Sequence, residues 1–452
     1  VIITIISFIA LISLIVGIHE LGHFSVARYF DIHVLKFKIG FGKELYSFQD
    51  KNKCKYSIGI LPLGGYVQML GENVMPEEQE GSELINKKSY LDATLNERAA
   101  VTAAGPIANF LLAIVIYFII SLIGTTHLGS YVGGVHQGSL AEQANLGFRD
   151  KIISIDKIKL DTFSEINIIL SKRIGDTGSI EIGFIEKGSN FNSYSTVDIT
   201  KWLSSSDQTN PAKSFGIDPL VPPVIGGLLE DGPASKAGLK AGDIIQSVNN
   251  KPIRSWIELS EILRNVPNEI VTISVLRDND TSSYSLKTDS FDQDGIKRGR
   301  IGIFASNDLN QWPQDIVINK KENLANALLH GFSETYKFTN LIIMSIGKMI
   351  TGSVSAENIG GPIQISVLAG SAAKAGLLSF LSMIAILSIN LGLINLFPIP
   401  VLDGGQLLLI AVEKIKGSPV SENFLEHSIR IGVVLIASLM IFAFVNDIVR
   451  LI

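Results

Sequence analysis

Hydrophobic and polar positions are distributed unevenly along the chain. Long uncharged runs lie near both ends, whereas the centre is polar and rich in Gly, Ser, Asp and Lys. A helix needs roughly 20 predominantly apolar residues to cross the hydrocarbon core of a bilayer. Four segments reach or approach that length, at about residues 1–27, 101–124, 376–397 and 429–450. The pattern predicts a polytopic α-helical membrane protein with four transmembrane helices around a polar central region.

Two further stretches refine this picture. The apolar run Leu341–Ile350 is too short to span a bilayer and carries Lys348. We therefore expect an amphipathic surface helix there, within an amphipathic helical region at residues 309–375. Residues 1–27 lack the basic start and the cleavage motif of a signal peptide, so we expect them to be retained as a helix.

The basic residues predict the orientation of the spans. Cytoplasmic loops carry an excess of Lys and Arg. The loop after the first span follows this rule, and Lys414 and Lys416, between the third and fourth spans, agree with it. The central region after Ile123 is then expected outside the cytoplasm. The basic residues of the first loop, which outweigh Asp31 and Glu44, are Arg28, Lys36, Lys38 and Lys43.

The central region contains an internal repeat. Residues 138–156, "GSLAEQANLGFRDKIISID", match residues 232–249, "GPASKAGLKAGDIIQSVN", and both read as a small helix, a turn and a strand. The second copy resembles the PDZ domain in its circularly permuted bacterial form, so we expect two PDZ-like α/β domains, at residues 125–220 and 221–308. The first copy has Asn145 and Arg149 where the second has Gly238 and Gly242, which bears on its ligand groove more than on its fold.

Composition excludes some classes of function. The 452 residues carry a formal net charge of -5 and no long basic run, so the sequence lacks the clustered positive charge typical of a nucleic-acid-binding protein. The single cysteine, Cys54, cannot form an intramolecular disulfide. The hydrophobic share of 46% is high for a soluble protein and supports a membrane location, with lipid as a partner.

A polar cluster, "HELGH", interrupts the first apolar segment. Positions i and i+4 share a helix face, so His19 and His23 can present two nitrogens to one metal ion. Glu20 is placed to take a proton from a metal-bound water, as in His-Glu-x-x-His hydrolases. Ionisable groups within a spanning helix cost on the order of 2.5–3.5 kcal/mol each, so they are rarely kept without a partner or a task.

A catalytic zinc site needs a third protein ligand, and Asp403 is the candidate. It follows the third span in "INLFPIPVLDGGQ", where Pro398 and Pro400 interrupt the helix and the two following glycines permit a tight turn. Broken backbone at membrane depth is tolerated where it faces protein or water. The alternative is that Asp403 is a capping or turn aspartate, for which "DGG" is a common composition.

Three motifs together resemble the site-2 proteases, which are intramembrane zinc metalloproteases. They are "HELGH" in the first span, "AAGPIANF" in the second and "NLFPIPVLDGG" at the end of the third, and the resemblance covers essentially the whole chain. It implies that His19, His23 and Asp403 bind one zinc ion and that Glu20 activates water. It also implies a bacterial inner membrane, with periplasmic PDZ-like domains and the active site near the cytoplasmic side.

The resemblance further implies residues that bind substrate. Asn395, Pro398 and Pro400 match a segment thought to hold the substrate backbone, although Asn395 could instead form a helix–helix hydrogen bond, a role for which Asn390 is a rival. Residues 28–100 would contain a membrane-associated β-hairpin whose edge pairs with an unwound substrate. An ordinary cytoplasmic hairpin is the alternative. The candidate contact residues of the hairpin are Gly40, Phe41, Gly42, Gly64, Gly65 and Tyr66.

The motif "AAGPIANF" in the second span is expected to serve helix packing. Gly105 and Ala108 are small enough for close helix contact, and Asn109 can form a hydrogen bond across it. We expect these residues to hold the site together without taking a direct part in catalysis.

The family's substrates are single-span membrane proteins already cleaved on the periplasmic side, such as an anti-sigma factor, and remnant signal peptides. The PDZ-like pair would then act as a size filter or bind the new C-terminus. A different class of function is a membrane scaffold with a structural metal, which would need a fourth ligand. The other histidines, all expected outside the spans, are His33, His127, His136, His330 and His427. A soluble zincin with an anchor fails because the motif lies within the apolar helix.

Overall fold

The computed structural model describes residues 2–71, 87–203, 210–293, 295–306, 308–309, 312–352, 354 and 360–449. The chain forms two compact units. The helical unit comprises Val1–Gly124, Lys321–Ile346 and Ala356–Ile452, and the repeat unit comprises Thr125–Lys320 and Gly347–Ser355.

The helices of the described residues range in length from 4 to 29 residues. They are α1 (Ile2–Tyr29), α2 (Leu95–Ile123), α3 (Leu140–Gln143), α4 (Phe163–Ser171), α5 (Pro211–Phe215), α6 (Pro233–Lys236), α7 (Trp256–Arg264), α8 (Leu324–Ile350), α9 (Pro362–Ala375), α10 (Leu377–Asn395), α11 (Asp403–Lys416) and α12 (Glu422–Val449).

The strands fall into small sheets. They are β1 (Val34–Gln49), β2 (Lys55–Met69), β3 (Thr125–Leu128), β4 (Val132–Val135), β5 (Lys151–Ile155), β6 (Ile158–Lys159), β7 (Gly178–Ile185), β8 (Asn192–Ile199), β9 (Ile217–Pro219), β10 (Ile225–Leu228), β11 (Ile244–Val248), β12 (Lys251–Pro252), β13 (Ile270–Arg277), β14 (Asp280–Lys287), β15 (Asp289–Gln293), β16 (Ile296–Arg300), β17 (Ile303–Ala305) and β18 (Val317–Lys320).

Four helices of the described residues are long and apolar enough to cross a membrane, as predicted: α1, α2, α10 and residues 423–449 of α12. α2 begins at Leu95, before the apolar run, because Thr94 and Glu97 form a capping box. Glu97 accepts the Thr94 N–H at 2.8 Å, and Thr94 Oγ1 accepts the Glu97 N–H at 3.3 Å.

The extent of α12 corrects one expectation. The helix starts at Glu422, and its apolar window starts at Asn423, so His427 lies within the candidate span and not outside it. Residues 422–428, just before the predicted start at 429, contain no proline or glycine and continue the helix. His427 is exposed, and its Nδ1 lies 2.6 Å from the carbonyl oxygen of Asn423.

The predicted amphipathic helix is part of α8, which is longer than the apolar run that suggested it. Its first half packs on α2 through a narrow face that includes Gly331. A Cβ at Gly331 would lie 2.7 Å from the Ile114 carbonyl oxygen, so the glycine permits close approach of the two helices. Phe338 stacks on Tyr117, with ring centroids 5.8 Å apart.

β1 and β2 are the two strands predicted between the first two spans, and their pairing is more complex than that of a plain hairpin. Residues 34–39 pair with residues 65–69 and also with residues 55–58, so that Ile39 lies opposite both Gly65 and Ile58. Residues 44–49 pair with the other side of residues 55–59. The segment at residues 65–69 therefore forms one edge of the sheet. Residues 72–86 of the predicted region 28–100 lie outside the described residues.

The repeat unit shows the internal repeat as structure. Each copy contains a four-stranded antiparallel sheet with the same strand order, β6-β5-β7-β8 in the first and β12-β11-β13-β14 in the second. Each copy has its own hydrophobic core. The non-glycine residues of the first copy adopt the same left-handed backbone as the glycines of the second, with φ of 58° at Asn145 and 68° at Arg149 against 95° at Gly238 and 91° at Gly242.

α12 is the least buried of the four candidate spans, and one buried carboxylate fastens its C-terminal part. Asp447 accepts three backbone N–H groups at the start of α9, from Gly361 at 2.8 Å, Ile363 at 2.9 Å and Gln364 at 3.2 Å. The first turn of a helix leaves such N–H groups without partners, and a carboxylate there also interacts favourably with the helix dipole. Asp447 therefore caps α9 from a neighbouring helix.

Replacing Asp447 by alanine is expected to loosen α9. Each buried N–H left without an acceptor costs about 1–3 kcal/mol, so amide hydrogen exchange within Pro362–Ala375 should accelerate about tenfold or more. Exchange measured by mass spectrometry on the detergent-solubilised protein checks this. Glu426→Ala, which removes an exposed carboxylate from the same helix, is the matched control and should leave exchange unchanged. Equal protection of α9 in both variants would contradict the capping role.

Candidate metal centre

Two imidazoles and a carboxylate of α1 are buried side by side. His19, Glu20 and His23 are 6%, 8% and 9% exposed, although the surrounding helix is almost entirely apolar. The i, i+4 spacing brings the two Nε2 atoms within 3.2 Å of each other. Tetrahedral zinc with Zn–N distances of about 2.0–2.1 Å separates two nitrogen ligands by about 3.3 Å, so the spacing suits one shared ion.

Asp403 joins them from the other end of the sequence. α10 ends at Asn395, and Asp403 is the first residue of α11. Asp403 Oδ2 lies 3.2 Å from His19 Nε2, and Oδ1 lies 3.6 Å from His23 Nε2. The three side chains can offer ligand atoms that all lie within 4.8 Å of one another.

The break between α10 and α11 brings Asp403 to this place. Pro398 and Pro400 lie in the connecting segment and cannot donate the backbone hydrogen bonds that would continue α10. Gly404 and Gly405 let α11 start against that segment, because a Cβ on either would overlap a carbonyl group of residue 396 or 399. The predicted interruption of the helix is therefore present, and it ends at Asp403.

Residues of α2 contact the Nδ1 atoms of both imidazoles. His23 Nδ1 lies 2.8 Å from the Val101 carbonyl oxygen, and His19 Nδ1 lies 3.2 Å from the Asn109 side-chain amide. Gly105 lies between these two contacts, and a Cβ there would overlap the His23 ring. Each imidazole is thus held through Nδ1 and directs Nε2 towards Asp403.

These donors fit a zinc ion. Imidazole nitrogens and a carboxylate oxygen are ligands that zinc accepts, and a catalytic site uses three protein ligands. Asp403 Oδ2 is buried and accepts no hydrogen bond among the described residues; its neighbour at 3.2 Å, His19 Nε2, can donate only when that nitrogen carries a proton, which a metal-binding nitrogen does not. A buried carboxylate oxygen without a donor is costly, and a cation beside it would remove that cost. Within the described part of the chain, no fourth histidine, cysteine or carboxylate joins the group.

The hairpin approaches Glu20 through one of its predicted contact residues. A Cβ at Gly65 would lie 3.0 Å from Glu20 Cγ, so the glycine brings the sheet edge onto the carboxylate-bearing turn of α1. Tyr66 is the next residue, and neighbouring strand residues face opposite sides of a sheet. Its ring lies 5.8 Å from Lys36 Nζ, on the face away from Glu20.

The other predicted contact residues lie at varying distances from the centre. Asn395 is part of it, since its amide Nδ2 lies 3.2 Å from His19 Nε2. The Phe41 ring packs on Gly64, where a Cβ would overlap it. Gly40 and Gly42 flank Phe41 with φ of 85° and 80°, conformations that favour glycine. These four hairpin residues form the turn region of the sheet, and no contact joins them to the ligands.

Sequence reasoning expected Asn109 to form a hydrogen bond across the helix contact without naming its partner, and it did not consider Val101; the two residues contact His19 and His23. Val101, Gly105 and Asn109 are spaced four residues apart in the sequence, so they share one face of α2.

The family comparison covers nearly the whole chain. A model of peptidase family M50 matches residues 7–439. The regulator of sigma-E protease RseP from Escherichia coli is 35% identical over 448 residues, and protease RseP from Yersinia pestis is 36% identical over 449 residues; both matches cover 98% of each chain. A relative from Pasteurella multocida with zinc metalloprotease in its name is 35% identical over 449 residues, with the same coverage.

A solved structure of a PDZ domain, from an SdrC-like protein of Listeria monocytogenes, is also similar. It is 23% identical, covers 19% of this chain and 88% of its own, and has a TM-score of 0.17, a likeness too slight to carry an argument. The family model and the relatives together identify the family of this chain. The chain belongs to peptidase family M50 and is a membrane metalloprotease of the site-2 type.

Proposed function

We propose that this protein hydrolyses peptide bonds within the transmembrane segments of single-span proteins, using one zinc ion. The observation that carries the proposal is the meeting of His19, His23 and Asp403, with Glu20 beside them, at the end of an apolar helix. Buried ionisable groups of this kind are costly inside a membrane protein and mark functional sites.

In this proposal His19, His23 and Asp403 hold the ion, and Glu20 is the general base. When bound, zinc supplies Lewis acidity, which acidifies a water molecule and polarises the scissile carbonyl. The Glu20 carboxylate takes the proton from the attacking water and delivers it to the leaving amine. Its burial against Gly65 excludes bulk water and fixes the carboxylate next to the histidines.

The substrate is proposed to bind as an unwound strand. An intact helix keeps its carbonyl groups in internal hydrogen bonds, so a protease must extend it and replace those bonds. Residues 65–69 form a sheet edge that can pair with such a strand, and Gly65 brings that edge to Glu20. The Asn395 amide, beside His19, is placed to bind a substrate carbonyl group near the scissile bond. Pro398 and Pro400 shape that side of the cleft.

The rest of Gly40–Tyr66 is proposed to shape the hairpin and not to act on the reacting bond. Phe41 on Gly64 closes one end of the sheet, and Gly40 and Gly42 make the turn possible. Tyr66 would contact substrate side chains on the face away from the base.

The two copies of the repeat unit are proposed to be PDZ-like domains in the periplasm of a bacterium, with the protease in the inner membrane. The relatives' name, regulator of sigma-E protease, points to sigma-factor regulation. As the resemblance to site-2 proteases implies, we propose as substrate an anti-sigma factor already cut on the periplasmic side; remnant signal peptides fit the same chemistry. We propose that the repeats exclude untrimmed ectodomains. The domain boundaries are proposed at residues 125–220 and 221–308.

Glu20→Gln is expected to abolish cleavage and to spare the metal. An amide cannot take up the proton from water, so the rate for a model transmembrane peptide should fall about 10²–10⁴-fold, while zinc content stays at one ion per chain. Asp403→Ala should lose both zinc and activity. Peptide cleavage and metal analysis of the purified variants in detergent check this. Undiminished cleavage by Glu20→Gln would remove Glu20 as the base.

Gly105→Ala is expected to damage the site through the metal. The added Cβ would displace the His23 ring, and a ligand misplaced by about 1 Å can cost about 10²-fold in rate. Zinc content and cleavage should fall together. Gly347→Ala is the matched control, because this helical glycine has open space around its Cβ position. Normal zinc content and rate in Gly105→Ala would contradict the close contact.

Deleting residues 128–308 tests the exclusion role. If the repeats act as a size filter, the shortened protein should cleave substrates that still carry their full ectodomain as well as trimmed ones. If they act as receptors for a newly formed C-terminus, cleavage of trimmed substrates should fall instead. The two substrates compared side by side in one membrane preparation give the answer, with the intact protein as reference.

A membrane scaffold with a structural metal is the competing class of function. Structural zinc sites are closed by four protein ligands, and the described residues supply three. Cleavage that a chelator stops and zinc restores would exclude the scaffold.

A further inference from the structure

Asn109 is the most completely buried polar side chain near the metal ligands. It is 0% exposed and lies in the middle of α2. Its amide Nδ2 lies 3.2 Å from His19 Nδ1, while its Oδ1 is buried without a hydrogen-bond partner among the described residues. A buried amide oxygen without a donor costs about 1–3 kcal/mol, so this arrangement calls for an explanation.

The orientation of the amide gives the explanation. The oxygen and nitrogen of an asparagine exchange places when the amide turns by half a revolution, and the choice is assigned from the hydrogen-bond network. A histidine that binds metal through Nε2 carries its proton on Nδ1 and must donate it. With Oδ1 turned towards His19, Asn109 accepts that proton. One rotation therefore gives the oxygen a donor and gives His19 the tautomer that a metal ligand needs, while the amide N–H groups move to the side on which the described residues offer Oδ1 no donor.

We propose that Asn109 is the positioning residue for His19: its amide oxygen accepts the Nδ1–H of the imidazole and thereby fixes the ring with Nε2 directed at the ion. This inference rests on the proposed zinc site. The two ligating histidines are supported differently, since His23 uses a backbone carbonyl, that of Val101, which no substitution removes. His19 is supported instead by a side chain, that of Asn109.

The surroundings of Asn109 hold it rigidly. Its backbone carbonyl accepts a hydrogen bond from Ser388 Oγ of α10 at 2.9 Å. Gly392, one turn further along α10, lets that helix approach, because a Cβ there would lie 3.3 Å from Asn109 Cβ. A fixed acceptor loses little freedom on binding and restricts the imidazole to one orientation. α10 therefore holds Asn109 of α2 in place, and Asn109 in turn holds His19.

The competing explanation is that Asn109 only joins helices, a common use of asparagine in membrane proteins. The two explanations differ in what a substitution changes. A joining residue affects the stability of the fold, whereas a positioning residue affects the affinity for zinc in a protein that is still folded. Zinc affinity is therefore the deciding measurement, and the zinc ion alone is the probe.

The test compares Asn109→Leu with Asn109→Asp. Leucine keeps the number and branching of the side-chain heavy atoms and removes the acceptor, so zinc affinity measured by chelator competition should fall about 10–100-fold, as for other lost partners of metal-binding histidines. Aspartate keeps an acceptor, so its affinity should stay within a fewfold of the intact protein. Asn390→Leu, which removes a half-buried asparagine of α10, is the matched control and should bind zinc normally.

The outcomes separate the inference from the function on which it rests. If the intact protein and Asn390→Leu bind no zinc, the proposed metal site is wrong. If they bind it and a folded Asn109→Leu binds it equally well, the positioning role is wrong. If Asn109→Leu does not fold, Asn109→Asp decides, since a folded aspartate variant with affinity reduced 10-fold or more would also overturn the role.

Discussion

The structure depends on one electrostatic constraint: two carboxylates and two imidazoles share a buried place at the end of an apolar helix. Glu20 is 8% exposed and the Asp403 side chain is 15% exposed, and the described residues offer no Lys or Arg in contact with either. Charges in such surroundings are kept when they are paired or bind a metal. The geometry of the three ligands, more than the motif itself, explains why the chain tolerates so many ionisable groups there.

Close approach of backbones is the second requirement, and small residues meet it on each side. Gly22 of α1 and Gly105 of α2 let the two helices touch, so that carbonyl and amide groups of α2 reach the imidazoles. Gly404 and Gly405 let α11 turn tightly against the segment after α10. Helix association in membranes has little hydrophobic driving force, so such close packing and hydrogen bonding provide it. The same glycines therefore stabilise the unit and locate the ligands.

The sequence predicted those features of the site that follow from local spacing. His19 and His23 were identifiable because helical periodicity alone places them on one face, and Asp403 because prolines and glycines break a helix in a recognisable way. The contacts of Asn109 were not identifiable, since an asparagine in a spanning helix has many possible partners and the choice depends on how helices rotate. The double pairing of residues 34–39 was also beyond prediction, because alternation gives strand faces but not partners.

The candidate spans differ in how much of each helix is buried within the protein. This difference bears on how the proposed ligands keep their geometry. α2 is the most buried span and contacts α1 and α10; its Asn109 side chain touches His19, and the Asn109 backbone carbonyl accepts a hydrogen bond from Ser388 of α10. α12 is the least buried and makes its buried contacts at a few points, such as Gly432 against Val401 and Asp447 at α9. Motion of α12 would therefore leave the contacts of α2 with His19 and His23 intact. Because His19 and His23 lie on α1 and Asp403 lies on α11, and both helices contact α2, the three proposed ligands are held against the best-packed span.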